Sequence, residues 1–430
     1  MNRLLYFIIV ISMFIGCTET KSGSDFVQVD GNHFTLKGES YAFAGTNFWY
    51  GAYLGQPGEA GNRERLRAEL DLMKAQGVTN LRILGSSEES EFGNTLAPVF
   101  IRQDGSYNED LLVGLDYLLS EMSKRDMKAV IFLTNYWEWS GGMNILNGWY
   151  GEGLTVDPGE GDWVAFMNNS AQFYQNEEAQ EAFREYIKSL VTRTNTVTER
   201  PYFNDPTIMS WQLANEPRPG SLEVSDEAIP VYIDWIDETA GFIKSLAPHQ
   251  LVSSGSEGEV GSLLSMKLFV DAHRTPNIDY LTFHMWAKNW RWLDPSDMAG
   301  TYDQAVDSAK QYVEEHVSIA DSLGKPIVME EFGFPRDDEE FSPDSPTSYR
   351  DKYYKMVYDL VEKHPVLAGT NFWSWGGFGE AQHEDYWWKE GDPFTGDPPF
   401  EPQGLNSVFA GDASTLQIIK EHAKRIGALE

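Results

Sequence analysis

From Tyr41 to Ile426 the chain takes turns between short apolar, β-rich runs and longer segments whose apolar residues mostly recur three and four positions apart. The first kind fits buried strands and the second fits amphipathic helices. The strand-like runs are YAFAGTN from Tyr41, VTNLRIL from Val78, MKAVIFLTN from Met127, TIMSWQLAN from Thr207, QLVSSGS from Gln250, IDYLTFHMW from Ile278, PIVMEEF from Pro326 and LAGTNFWSW from Leu367. Helices are predicted at Arg63 to Gln76, Glu109 to Lys124, Glu177 to Thr194, Ala228 to Leu246, Asp303 to Leu323, Ser348 to Glu362 and Ser414 to Ile426. VGSLLSMKLFVDA, near the fifth strand, is compatible with an eighth. Ahead of them FVQVDGNHFTLKGESYAFAGTNFWYG alternates around Gly31 and Gly38, predicting a small hairpin that leads into the first core strand.

Strict β/α alternation implies a parallel sheet with crossover helices, and eight units close into a (β/α)8 barrel. An open doubly wound sheet is the alternative, but no Gly-rich phosphate loop follows any strand. Two long inserts, Glu138 to Asn176 and Gly376 to Gly411, follow the third and eighth strands and are rich in Trp, Tyr, Gly and Pro. Loops after barrel strands line the active face, so both are expected there.

Composition narrows the ligand. The 430 residues carry 33 basic and 66 acidic side chains, a formal net charge of −33. Such a field repels nucleic acid, anionic lipid surfaces and acidic polymers, and favours a neutral ligand. Aromatics make up 13% of the chain, 14 of them Trp, a side chain that stacks on the apolar faces of sugar rings.

The start, MNRLLYFIIVISMFIGC, has a basic residue, an apolar stretch from Leu4 to Ile15, and then Gly16 and Cys17. It reads as an export signal, short for a membrane span and followed by the polar Thr18 to Ser24. Cys17 is the sole cysteine, which excludes an intrachain disulfide, a thiolate metal cluster and a cysteine nucleophile further on. The FIGC junction resembles the lipobox of bacterial lipoproteins. The expected layout is a signal with its lipobox Cys over 1–17, a tether over 18–25 and one catalytic barrel over 26–430. The expected location is the bacterial cell envelope, with a lipid anchor at Cys17.

Polar residues gather where the predicted strands end: Arg82, Asn135, Asn215 with Glu216, His284, Glu330 with Glu331, and Trp373. In a barrel those ends share one mouth, and two carboxylates on its opposite walls are costly to bury without a function. Such a pair suits glycosidic cleavage, in which one carboxylic acid protonates the leaving oxygen and the other carboxylate attacks or assists at the anomeric carbon. Arg82 is expected to keep one carboxylate ionised, whose charge would raise the pKa of the other.

WQLANEP, MEEFG, TFHMW and NFWSWGG resemble glycoside hydrolase family 5, while GTNFWYG, LTNYWEWSGGM, NGWYGEG and EEFGFPRD resemble its bacterial mannan endo-1,4-β-mannosidase branch. The resemblance runs from about Phe26 to Ile426 and implies a barrel and a retaining double displacement without metal or cofactor. It also implies roles: Glu216 as acid/base, Glu331 as nucleophile, Asn215 on the hydroxyl beside the anomeric carbon, Arg82 and His284 supporting the carboxylates, and Trp373 lining the cleaved sugar's subsite. Adjacent strand residues point to opposite faces, so Glu330 is expected to turn toward the helices or a neighbouring loop. Trp286 stands where many members have Tyr, and Leu84 where plant mannanases carry Trp, so Trp49 and Trp137 become candidates for the stacking surface. Expected partners are neutral β-mannan or manno-oligosaccharides for a monomer, with no nucleic acid. The stretch RDDEEFSPD lacks the ligand spacing of a known calcium loop, and His273, His316, His364 and His422 show no metal spacing.

Overall fold

The computed structural model describes residues 24–93, 95–151 and 153–429. Cys17 and the leader lie outside the described residues.

Strands β1 (Gln28–Asp30), β2 (His33–Leu36) and β3 (Glu39–Tyr41) form a three-stranded antiparallel sheet. The hairpin expected at Gly31 and Gly38 therefore includes Tyr41, and the first barrel strand begins two residues later. Barrel strands follow as β4 (Phe43–Asn47), β5 (Val78–Leu84), β6 (Lys128–Phe132), β7 (Ile208–Gln212), β8 (Leu251–Ser253), β9 (Leu281–Met285), β10 (Ile327–Phe332) and β11 (Leu367–Phe372). They make one eight-stranded parallel sheet in the order β8-β7-β6-β5-β4-β11-β10-β9. Its ends meet through isolated bonds: Asp279 N donates to Val252 O at 2.9 Å, Thr282 Oγ1 to Ser256 O at 2.9 Å and His284 N to Glu257 O at 3.2 Å. The fold is a (β/α)8 barrel.

Helices Arg63–Ala75, Glu109–Ser123, Glu177–Val191, Ala228–Leu246, Met266–His273, Met298–Leu323, Ser348–Lys363 and Ala413–Arg425 wrap the sheet. The sixth begins five residues before its predicted start, because Asp297 accepts from Gly300 N at 3.0 Å and caps it upstream of the apolar periodicity. Asp337, in the acidic RDDEEFSPD stretch, accepts from Ser348 N and Tyr349 N at 3.1 and 2.9 Å and so serves the start of the seventh.

The antiparallel sheet plugs the end of the barrel where its strands begin. Val27 and Phe34 join Phe43, Met209, Leu251, Tyr280, Val328 and Ala368 in one buried apolar cluster. Above it the axis is polar, with Asn80, Arg82, Gln212, Glu330 and Asn371 fully buried. The cost of burying them is met by mutual bonds such as Asn371 Nδ2 to Asn80 Oδ1 at 3.0 Å.

Both inserts lie at the opposite end. The first holds helices Gly142–Tyr150 and Trp163–Ala171; the second includes β12 (Trp375–Gly377), which starts just before it, and β13 (Val408–Phe409), which pair with each other. The second insert is pinned from several directions. Trp49 Nε1 donates to Gly396 O at 2.5 Å, Arg65 Nη2 to Phe394 O at 2.8 Å, and Trp375 Nε1 to Glu69 Oε2 at 2.7 Å. Within it the buried Asp397 carboxylate accepts from Gly404 N at 2.8 Å and Asn406 N at 2.9 Å, which makes the insert a rigid wall.

Candidate active site

Each polar side chain at the mouth is delivered by the end of a strand. Register places Arg82 beside Asn47, His284 beside Glu331, and Asn135 opposite Asn215 in an isolated parallel bridge. Glu216 is left-handed, with φ of 51°, and its N–H donates to Gly255 O at 3.0 Å. A non-glycine residue rarely adopts that conformation unless its surroundings enforce it, and here it carries a carboxylate.

Arg82 uses its whole guanidinium. It donates from Nη1 to Glu331 Oε1 at 2.5 Å and to Asn47 Oδ1 at 3.1 Å, from Nη2 to Asn215 Oδ1 at 2.7 Å, and from Nε to Gln212 Oε1 at 2.8 Å. His284 bridges the two carboxylates: its Nδ1 lies 2.5 Å from Glu216 Oε1 and 3.3 Å from Glu331 Oε2. The other oxygen of Glu216 accepts from Trp137 Nε1 at 2.5 Å. The carboxylates of Glu216 and Glu331 thus approach within 4.8 Å of one another.

Charge at this cluster differs from expectation. Burial works to raise Glu216, but the neighbouring His284 cation, Arg218 and the Trp137 N–H outweigh it and hold the carboxyl well below its ordinary range. The negative charge of Glu331 does not dominate, because the His284 imidazole lies 2.5 Å from Glu216 Oε1 and Arg218 adds a second positive charge. Burial works to lower His284, and Glu331 and Glu216 carry it up to about 9. Glu216, His284 and Glu331 converge as metal ligands do, but Arg82 and His284 already supply the positive charge that two carboxylates demand.

Glu330 corrects a second expectation. It does not turn toward the helices: Gln212 Nε2 donates to its Oε2 at 2.5 Å, and Tyr280 OH lies 3.4 Å from its Oε1. The β10–β9 ladder explains this, since Met329 pairs with Phe283 while Glu331 pairs with the next residue, His284. One residue is bulged out of register, so strict alternation fails and two consecutive carboxylates both face the axis side.

A cavity of about 540 Å³ opens above the carboxylates. Glu216, Glu331, Asn215, Trp137, Trp286 and Trp373 line it. Trp286 sits edge-on to Trp373, with ring centres 6.2 Å apart. Two candidates do not reach it. Trp49 is fully buried among Tyr50, Tyr53, Trp139 and Phe394, so it offers no stacking face. Asn135 is fully buried as well, and its side chain holds Asn215 Nδ2 at 3.1 Å and Ser140 Oγ at 3.0 Å instead of a ligand. Arg82 and His284 are likewise enclosed and act on the carboxylates.

The cavity also contains residues that strand-end reasoning overlooked. Arg218 and Glu257 stand beside Glu216, Trp139 and Trp163 come from the first insert, and Phe400 and Glu401 come from the second. Arg218 was visible in the NEPRPG run, but its partner Glu257 follows a different strand. Glu401 Oε2 is buried without a hydrogen-bond partner, and burial, followed by Asp397, pushes its carboxyl up to about 8.

Comparison with known proteins now fits this geometry. A family described as GH family 5 beta-mannosidase-like matches residues 24–430. The chain belongs to glycoside hydrolase family 5. It is 27% identical to mannan endo-1,4-β-mannosidase 1 of Arabidopsis thaliana over 87% of this chain and 88% of the relative. A family 5 mannosidase from Rhizomucor miehei superposes with a TM-score of 0.85 at 36% identity, covering 94% of this chain and 98% of that one. A mutant of that enzyme has been solved in complex with mannosyl-fructose. An endo-1,4-β-mannanase from the same fungus shares the fold, with a TM-score of 0.69 at 23% identity over 94% and 99% of the two chains. The protein is a glycoside hydrolase, and the Glu216–His284–Glu331 cluster at the barrel mouth is its candidate active site.

Proposed function

We propose that the protein is a retaining hydrolase of β-1,4-mannosidic bonds. The observation that carries this reading is the spacing of Glu216 and Glu331, whose oxygens approach within 4.8 Å. Retaining enzymes hold their two carboxyl groups about 5–5.5 Å apart, whereas inverting ones leave room for a water at about 6.5–9.5 Å. In this reading Glu331, aligned by Arg82, attacks the anomeric carbon while Glu216 gives its proton to the departing oxygen. Water then attacks the glycosyl-enzyme bond as Glu216 takes a proton back.

Glu216 needs that proton although His284 holds it ionised at rest. Substrate filling the cavity excludes water, and desolvation favours the neutral pair over the ion pair. The proton therefore passes the 2.5 Å from His284 Nδ1 to Glu216 Oε1 before it reaches the sugar.

Mannose specificity is supported by the family and by the names of the relatives in Arabidopsis and Rhizomucor. Internal cleavage of mannan, galactomannan or glucomannan is the first reading. Release of sugars from chain ends is the second, favoured by the pinned wall of the second insert, which sets Phe400 and Glu401 against the cavity. Product analysis on linear mannan, galactomannan, glucomannan, cellulose and xylan tests both. An endo enzyme lowers mannan viscosity early and yields mixed oligomers, while an exo enzyme releases small sugar with little change in viscosity. Activity confined to cellulose or xylan would refute the mannoside reading. The protein is further proposed to be exported as a monomer and anchored through lipid at Cys17.

A further inference from the structure

Arg218 and Glu257 stand next to Glu216 without a hydrogen bond to it. Arg218 Nε and Nη2 donate to Glu257 Oε2 at 2.9 and 2.6 Å. Glu257 is buried, and its backbone oxygen accepts from His284 N at 3.2 Å and Tyr312 OH at 2.9 Å, which fixes it to the wall of the barrel. The Arg218 guanidinium carbon lies 4.9 Å from the centre of the Trp137 ring, and Phe166 stacks on the same indole at 6.1 Å and 17°. That indole donates to Glu216 Oε2.

These contacts form a chain: Glu257 holds Arg218, Arg218 and Phe166 hold Trp137, and Trp137 holds one oxygen of Glu216. An indole N–H donates but accepts nothing, so it orients the carboxyl without competing for the proton that the carboxyl must deliver. A cation over the indole face also strengthens the clamp. We propose that Arg218, clamped by Glu257, is a positioning residue for the acid step, acting through Trp137 to fix the plane of the Glu216 carboxyl. The proposal rests on the reading of Glu216 as the acid.

The test uses aryl β-mannosides that share the sugar but differ in leaving-group acidity, such as 2,4-dinitrophenyl and phenyl. Their kcat/KM reports the steps up to departure of the phenol. Arg218→Met combined with Glu257→Gln removes the clamp without leaving a lone buried carboxylate. The expected result is a loss at least about tenfold greater on the phenyl substrate than on the dinitrophenyl one, within the range general acid catalysis supplies. Trp137→Phe, which deletes the N–H together with the pyrrole edge of the ring, gives the same selective loss, and adding it to the double variant costs little more. Arg218→Lys restores part of the selectivity. Equal losses on both aryl substrates, a change in KM alone, or full additivity with Trp137→Phe overturn the proposal. Glu216→Ala serves as control: if it too lacks the leaving-group dependence, the acid assignment itself fails, whereas a normal control with an indifferent Arg218 variant removes only the clamp.

Discussion

Gln212 joins the two acidic neighbours of β10: its Nε2 donates to Glu330 at 2.5 Å, and its Oε1 accepts at 2.8 Å from the Arg82 that grips Glu331. Glu330 is therefore a support under Glu331. Glu330→Gln is expected to keep measurable activity and to lose about 1–3 kcal/mol of stability, the usual cost of disturbing a buried polar contact, read by denaturant unfolding. Glu331→Ala is expected to abolish turnover while folding and glycan binding persist. Trapping with a fluorinated mannoside should label the peptide at Glu331, and label at Glu330 or an inverted first product would reverse the assignment.

Glu216→Ala should flatten the alkaline limb of the kcat/KM profile and harm poor leaving groups far more than activated aryl mannosides. General acid assistance contributes about 10²–10⁴-fold, which sets the scale of the difference.

The proton shared by Glu216 and His284 should survive well above ordinary carboxylate titration. Burial works against the cation, but Glu331 and Glu216 raise His284 to about 9. A raised pKa keeps the proton below that value and releases it above. The alkaline limb of kcat/KM is thus expected nearer 9 than 5, and nitrogen NMR of the imidazole should report the same titration. A coupled pair titrates as a unit, so both probes follow the dyad.

His273 and His316 should make the fold sensitive to acid. Each donates from Nδ1 to a backbone oxygen at 2.7 Å and accepts at Nε2, from Ser254 Oγ at 2.6 Å and Glu259 N at 3.0 Å. Burial depresses both to about 4. An unfolded histidine titrates near about 6.5, so between these values the unfolded chain binds more protons. Their contribution is complete above about 6.5 and is lost as pH falls toward 4. Urea unfolding at several pH values, in wild type and in His316→Gln, measures the slope, which should be shallower in the variant.

Membrane retention should depend on Cys17. Cys17→Ala is expected to move the protein from the membrane fraction to the soluble one, since stable anchoring requires more than one acyl chain. Unchanged retention would remove lipidation at that position.

Much of this protein was legible along the chain because the period of apolar residues is a local property. Alternating runs announced strands and helices, their order announced the barrel, and barrel geometry then gathered Arg82, Glu216, His284 and Glu331 at one mouth. Tertiary structure decided what depends on neighbours distant in sequence. A bulge between Met329 and Glu331 left Glu330 and Glu331 both on the axis side, and that slip exists only relative to β9. The aromatic cluster around Phe394, 345 residues after Trp49, closed over that indole and left the half-buried Trp137 as the indole that meets Glu216. The resting charge of Glu216 was set by His284 and Arg218, because electrostatic energy follows distance through a shielded interior and takes no account of the order in which residues were joined.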